Sequence, residues 1–216
     1  MRANPQKLLF SFNIAVLGAA TGFAFMVWYY LARVPDHLQT EFLRSQHEPD
    51  RLNGLSAAFI YGSTTISGFI IAFIFIFWLY DKPQNSGVSK FTWILSSLGY
   101  AVANAFIGGG IFMPLADIIL KSIYVSSGIG TTILVISDHL FRIPLTMWLF
   151  GTQVLYSSLI SGFIFGLGAL FIYKIHESES LSNSKQTFTI ISTAAFATII
   201  VVASLILPVS VLKHLG

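Results

Sequence analysis

Residues Ile143–Tyr173 read IPLTMWLFGTQVLYSSLISGFIFGLGALFIY, without one charged side chain. A helix needs about 20 predominantly apolar residues to cross the hydrocarbon core of a bilayer. This run exceeds that length, and Gln153 is its only amide. It is also unbroken, unlike the ten-residue alternation of a transmembrane β-barrel strand. Hydrocarbon offers no partner to backbone N–H and C=O groups, so a segment of this kind must satisfy them internally as a helix.

Four further stretches of the 216-residue chain repeat the pattern: Leu8–Leu31, Leu55–Tyr80, Phe91–Leu120 and Thr187–Leu212. Trp28 and Tyr29 close the first, Trp78 and Tyr80 close the second, and Trp93 opens the third. Trp and Tyr favour membrane–water boundaries because each joins an apolar body to a polar tip. The expected fold is therefore all-α: a polytopic membrane helix bundle forming one integral membrane domain over 1–216. Five transmembrane helices are preferred and six are the alternative. The choice turns on Ile123–Ser137, a moderately apolar stretch holding Gly128 and Gly130. It reads either as an interfacial or re-entrant loop, or as part of an extra helix over Met113–Ser137. In the second case the break falls at Gly108–Gly110 and Pro114.

Composition agrees with this architecture. Apolar residues make up 55% and charged residues 10% of the chain, against about 25% charged in soluble domains. The twelve Lys and Arg lie at the ends of the apolar stretches or between them. They form no basic stripe, so nucleic acid is not an expected partner. No polybasic block adjoins a segment, so an anionic-lipid cluster is not expected either. The absence of cysteine excludes disulfides and thiolate chemistry. On the five-helix reading Arg2, Lys7, Lys82, Lys90, Lys174 and Lys185 fall on one side of the membrane. Arg33, Arg44, Arg51, Lys121, Arg142 and Lys213 fall on the other. The positive-inside rule counts Lys and Arg, so it returns a tie.

The one substantial polar loop is 32–54. Asp36 with Gln39 has the spacing of an N-cap and its reciprocal partner, and Val34, Leu38 and Phe42 follow at four-residue spacing. This predicts a short interfacial amphipathic helix. Within the loop His37, Glu41 and His47 combine imidazole with carboxylate, which is acceptable zinc chemistry. Their spacing matches no established ligand pattern, and the loop reads more simply as a solvated surface. No cofactor is expected.

Small residues recur at helical spacing. Gly18 and Gly22 form a GxxxG pair. Tyr61, Thr65, Gly68 and Ala72 share a face, as do Ser97, Ala101, Asn104 and Gly108, and Ser158, Gly162, Gly166 and Ala169. Such faces let helix backbones approach closely. They are expected to hold the chain itself together, with other membrane subunits or a second copy as further partners. The chemistry-bearing candidates are few. Asn104 and Gln153 are amides inside apolar segments, suited to hydrogen bonds between helices or to a polar path. Asp117 and Lys121 stand four apart, a spacing that allows an ion pair. Buried in the bilayer, that pair would be a candidate for an ion path. Asp138 and Arg142 repeat the spacing where it would anchor a helix end.

No nucleophile elbow, phosphate loop or dinucleotide fingerprint is present. Three functions follow as expectations. The first is a non-catalytic accessory or assembly subunit. The second is a small transporter or channel component with Asp117 and Asn104 near the path. The third is a membrane enzyme using the polar loop and a metal.

Overall fold

The computed structural model describes residues 5–31, 52–79, 90–116, 119, 129–177 and 183–206. Every regular element among them is helical. In chain order they are α1 (Pro5–Leu31), α2 (Leu52–Leu79), α3 (Lys90–Ala103, continuing as a π-helix over Asn104–Phe112), α4 (Ile129–Phe141), α5 (Ile143–Glu177) and α6 (Asn183–Ile206). Among the described residues four stretches are long and apolar enough to cross a membrane: Lys7–Tyr29, Thr92–Ala116, Ile143–Ile175 and Gln186–Leu205. The apolar part described for α2 is Gly62–Phe77. The polar loop with its expected surface helix, including His37, Glu41 and His47, lies outside the described residues, as do Asp117 and Lys121.

Helix α1 is the hub. Ile14, Ala15, Leu17, Thr21, Ala24, Phe25 and Met26 are all fully enclosed, because α2, α5 and α6 pack around them. The α1–α2 contact depends on missing side chains. A Cβ on Gly18 would collide with Ala72 and with the Gly68 carbonyl at 2.6 Å, and one on Gly22 would strike the Thr64 carbonyl. Two backbones thus meet with nothing between them, the close approach that drives helix association in lipid. Helix α3 repeats the device against α5. There, Gly162 accommodates Ala101, and Gly166 accommodates Ser97, whose Cβ lies 2.5 Å from where a Gly166 Cβ would stand. Three of the four small-residue faces read from the sequence are therefore used within the chain. On α2 the working stripe is Thr64, Ser67, Gly68 and Ala72, rotated slightly from the expected one.

The bundle ends can be paired. At one end Lys7 Nζ lies 3.6 Å from the centre of the Phe77 ring. There Tyr173 meets both Phe10 and Trp93, with ring centroids 6.4 and 5.1 Å apart. The start of α1, the end of α2, the start of α3 and the end of α5 therefore share one end. At the other, Tyr29 of α1 reaches Gln153 of α5.

Gly108–Gly110 do not break α3, where the six-helix alternative placed its break. The helix runs through them with the wider π ladder, in which Met113 N–H bonds to the Gly108 carbonyl. Among the described residues Ile129–Phe141 is helical, where one reading expected an interfacial or re-entrant loop and the other an extra helix over Met113–Ser137.

Candidate functional site

The chemistry-bearing residues that the structure brings together lie where α1, α2 and α3 meet, about halfway between the two bundle ends. Asn104 opens the π-helix and is fully buried. Ser67 on α2 donates to its Oδ1 at 2.9 Å. Gly108 makes the room: a Cβ there would stand 2.6 Å from Ser67 Oγ and 2.8 Å from Asn104 Oδ1. The π ladder explains the placement. Each i→i+5 turn takes up an extra residue, so the stripe that faces α5 at Ser97 and Ala101 has rotated onto α2 by Asn104 and Gly108. Phe106, Gly109 and Gly110 have turned towards α5, where they meet Gly151, Val154 and Met147.

One turn before Asn104, Tyr100 is wholly enclosed. Its hydroxyl donates to the Gly18 carbonyl at 2.7 Å and stands 2.9 Å from Thr21 Oγ1. Thr21 Oγ1 also lies 3.1 Å from the Leu17 and Gly18 carbonyls of its own helix, so both hydroxyls are satisfied. The ring stacks on Phe165, with centroids 4.1 Å apart. Tyr100 thus joins α1, α3 and α5 at one point. Further along, Ser158 of α5 donates to the Ala101 carbonyl at 2.7 Å.

Gln153 lies away from this cluster, exposed at the far end of α1, where its Oε1 accepts from the Tyr29 hydroxyl at 3.4 Å. Asn104 and Gln153, both singled out in the sequence, therefore each bond to a neighbouring helix, but they do not share a site. Tyr100, Thr21 and Ser67 were not singled out. The sequence does carry a signal for Tyr100: it sits mid-segment, a full turn and more from the boundary Trp93, where a tyrosine must find an internal partner.

One polar group in the cluster stays unanswered. Asn104 Nδ2 is buried without a hydrogen-bond partner, and such a donor costs about 1–3 kcal/mol. Asp138 and Arg142 pair in the open, with Arg142 Nε 3.0 Å from the carboxylate. Among the described residues no three His, Asp or Glu side chains lie together as a metal-binding group. No known protein family, curated protein or solved structure matches the chain.

Proposed function

We propose that this chain is a multi-pass integral membrane protein whose role is non-catalytic, an accessory or assembly subunit that packs against membrane partners. The observation that carries the reading is how the interior polar groups are used. Tyr100 with Thr21 and the Gly18 carbonyl, Ser67 with Asn104, and Ser158 with the Ala101 carbonyl all join one helix to another. Polar side chains placed in this way act as glue in an apolar medium. The outer faces of α2, α5 and α6 are apolar, with Ile66, Ile74, Phe163, Phe171, Ile191 and Ile199 exposed, which suits lipid or the helices of a partner.

The reading is tested on the chain extracted from its own membrane into nanodiscs, with native mass spectrometry of the intact particle. The expected result is a stoichiometric complex with another membrane protein. A particle holding this chain alone as a monomer overturns it.

One observation favours a second reading, a small transporter or channel component. The unanswered Asn104 Nδ2 sits at mid-depth, where a π-helix opens, and π turns recur at functional sites. On that reading Asn104→Leu abolishes a flux measured in proteoliposomes. On the accessory reading the same variant leaves any such flux at the level of the unmodified chain.

A further inference from the structure

Helix α5 is too long for the bundle it belongs to. From Tyr173 at one end to Gln153 at the other it rises about 30 Å, the thickness of a hydrocarbon core, and α1 covers the same span from Lys7 to Tyr29. Yet α5 begins at Ile143, and α4 joins it through Arg142. The helical path continues across the joint, because Arg142 N–H bonds to the Asp138 carbonyl and Thr146 N–H to the Arg142 carbonyl. About 35 Å of helix therefore extends past Gln153.

The side chains along the arm and the bundle part of α5 change character along one line. Thr131, Asp138, Arg142, Leu145, Leu149, Tyr156 and Phe163 follow one another at three-, four- and seven-residue steps, so they share a face, and all are exposed. Up to Arg142 the line is polar except at the exposed Val135, four after Thr131 and three before Asp138; from Leu145 onwards it is apolar. On the rest of α4, Ile133, Leu134, Leu140 and Phe141 stand exposed, Leu134 at 71% and Phe141 at 88%. Pro144 supplies a joint: it has no N–H, so the Leu140 carbonyl lacks its helical donor, the usual cause of a kink.

We propose that α4 is a membrane-surface helix, lying in the headgroup boundary with Ile133, Leu134, Leu140 and Phe141 towards the acyl chains and Thr131, Asp138 and Arg142 towards water. The partner is the bilayer interface itself. An amphipathic helix settles about 5–10 Å into that boundary when one face is apolar and the other charged. Leu134, Phe141 and Trp148 stand at seven-residue steps and all are exposed, so the apolar side of α4 runs on into α5. Trp148 at the joint suits the interface. The proposal rests on the integral-membrane reading above.

The test uses the full chain, which has no cysteine of its own, in phosphatidylcholine nanodiscs. Thr131→Cys, Ile133→Cys, Leu134→Cys, Asp138→Cys and Phe141→Cys each carry a spin label, and collision rates with oxygen and with a water-soluble nickel chelate are compared. Phe163→Cys and Ile199→Cys serve as references for the bilayer interior. The expected result is oxygen preference at 133, 134 and 141 and nickel preference at 131 and 138. Nickel access at all five α4 positions, with the references protected, places the arm in water and overturns the proposal. Oxygen preference at all five makes the segment a crossing. Shielding from both reagents assigns the face to a protein partner or a second copy. Nickel access at the two reference positions instead defeats the integral-membrane reading itself.

Discussion

At the scale of single residues, the interior is held by hydroxyl and amide groups that bond one helix to another. Ser67 and Asn104 make the sharpest case, since each lies on a different helix and both are buried. A double-mutant cycle of Ser67→Ala and Asn104→Ala, followed by unfolding in bicelles, is expected to give a coupling of about 0.6–2 kcal/mol. The two losses should be less than additive; strict additivity would mean that the bond contributes nothing. Tyr100→Phe keeps the stacked ring and removes only the hydroxyl, so its expected cost is about 1 kcal/mol. That cost should shrink when Thr21→Val is already present, because the two hydroxyls depend on each other. Asn104 and Gln153 were legible as helix-joining amides because amides are rare in long apolar runs. Tyr100 carried a signal in its mid-segment position, past the boundary Trp93, but only the tertiary contact shows that its partner is Gly18 of α1. Asp117, Lys121 and the histidines of the polar loop remain as the sequence left them, outside the described residues.

At the scale of elements, glycine decides where helices touch, and its effect has opposite signs at different positions. Gly110 faces the backbone of α5: a Cβ there would stand 2.5 Å from Met147 Cα, an atom that cannot move alone. Gly110→Ala must push α3 and α5 apart, and overpacking of this kind costs about 1–3 kcal/mol. Gly62 on α2 has nothing within 4 Å of its would-be Cβ. Gly62→Ala should therefore be neutral or stabilise the fold by up to about 1 kcal/mol, through helix propensity. Measuring both variants in the same unfolding assay separates packing from propensity, and a loss at Gly62 equal to that at Gly110 would contradict the assignment. The three consecutive glycines were visible in the sequence, but their consequence was not. A glycine run permits a break, a kink or a wide turn, and the choice was made by Val154 and Met147 pressing against Gly109 and Gly110. Helix α4 was hidden for a related reason. Gly128 and Gly130 suggest a loop, whereas the pattern that follows, with apolar Ile133, Ile136 and Leu140 opposite Asp138 and Arg142, is helical.

At the scale of the whole molecule, the helical character of the long apolar runs was legible, because unbroken apolar runs of about 20 residues suit a helix and not the alternating strand of a barrel. Orientation was not, since the Lys and Arg counts tie. What the structure adds is which ends belong together. The end of α2 and the start of α3 share the bundle end of Lys7, Phe77 and Trp93, and the end of α5 joins them through Tyr173. The connections carrying Ser86 and Ser182 therefore leave from one end. With Ser86→Cys and Ser182→Cys as separate variants, a membrane-impermeant thiol reagent applied to sealed vesicles is expected to label both from the same side. Placing the two residues on opposite faces would require one more crossing between Trp93 and Tyr173. The residues available for it are those that follow Ala116 and lead into α4, and the Asp117–Lys121 spacing would then lie inside the bilayer. A charge pair at that depth is costly unless it serves an ion or proton path. Opposite-side labelling would thus favour transport over the accessory role and remove the surface assignment of α4, while same-side labelling supports the five-crossing arrangement on which both rest.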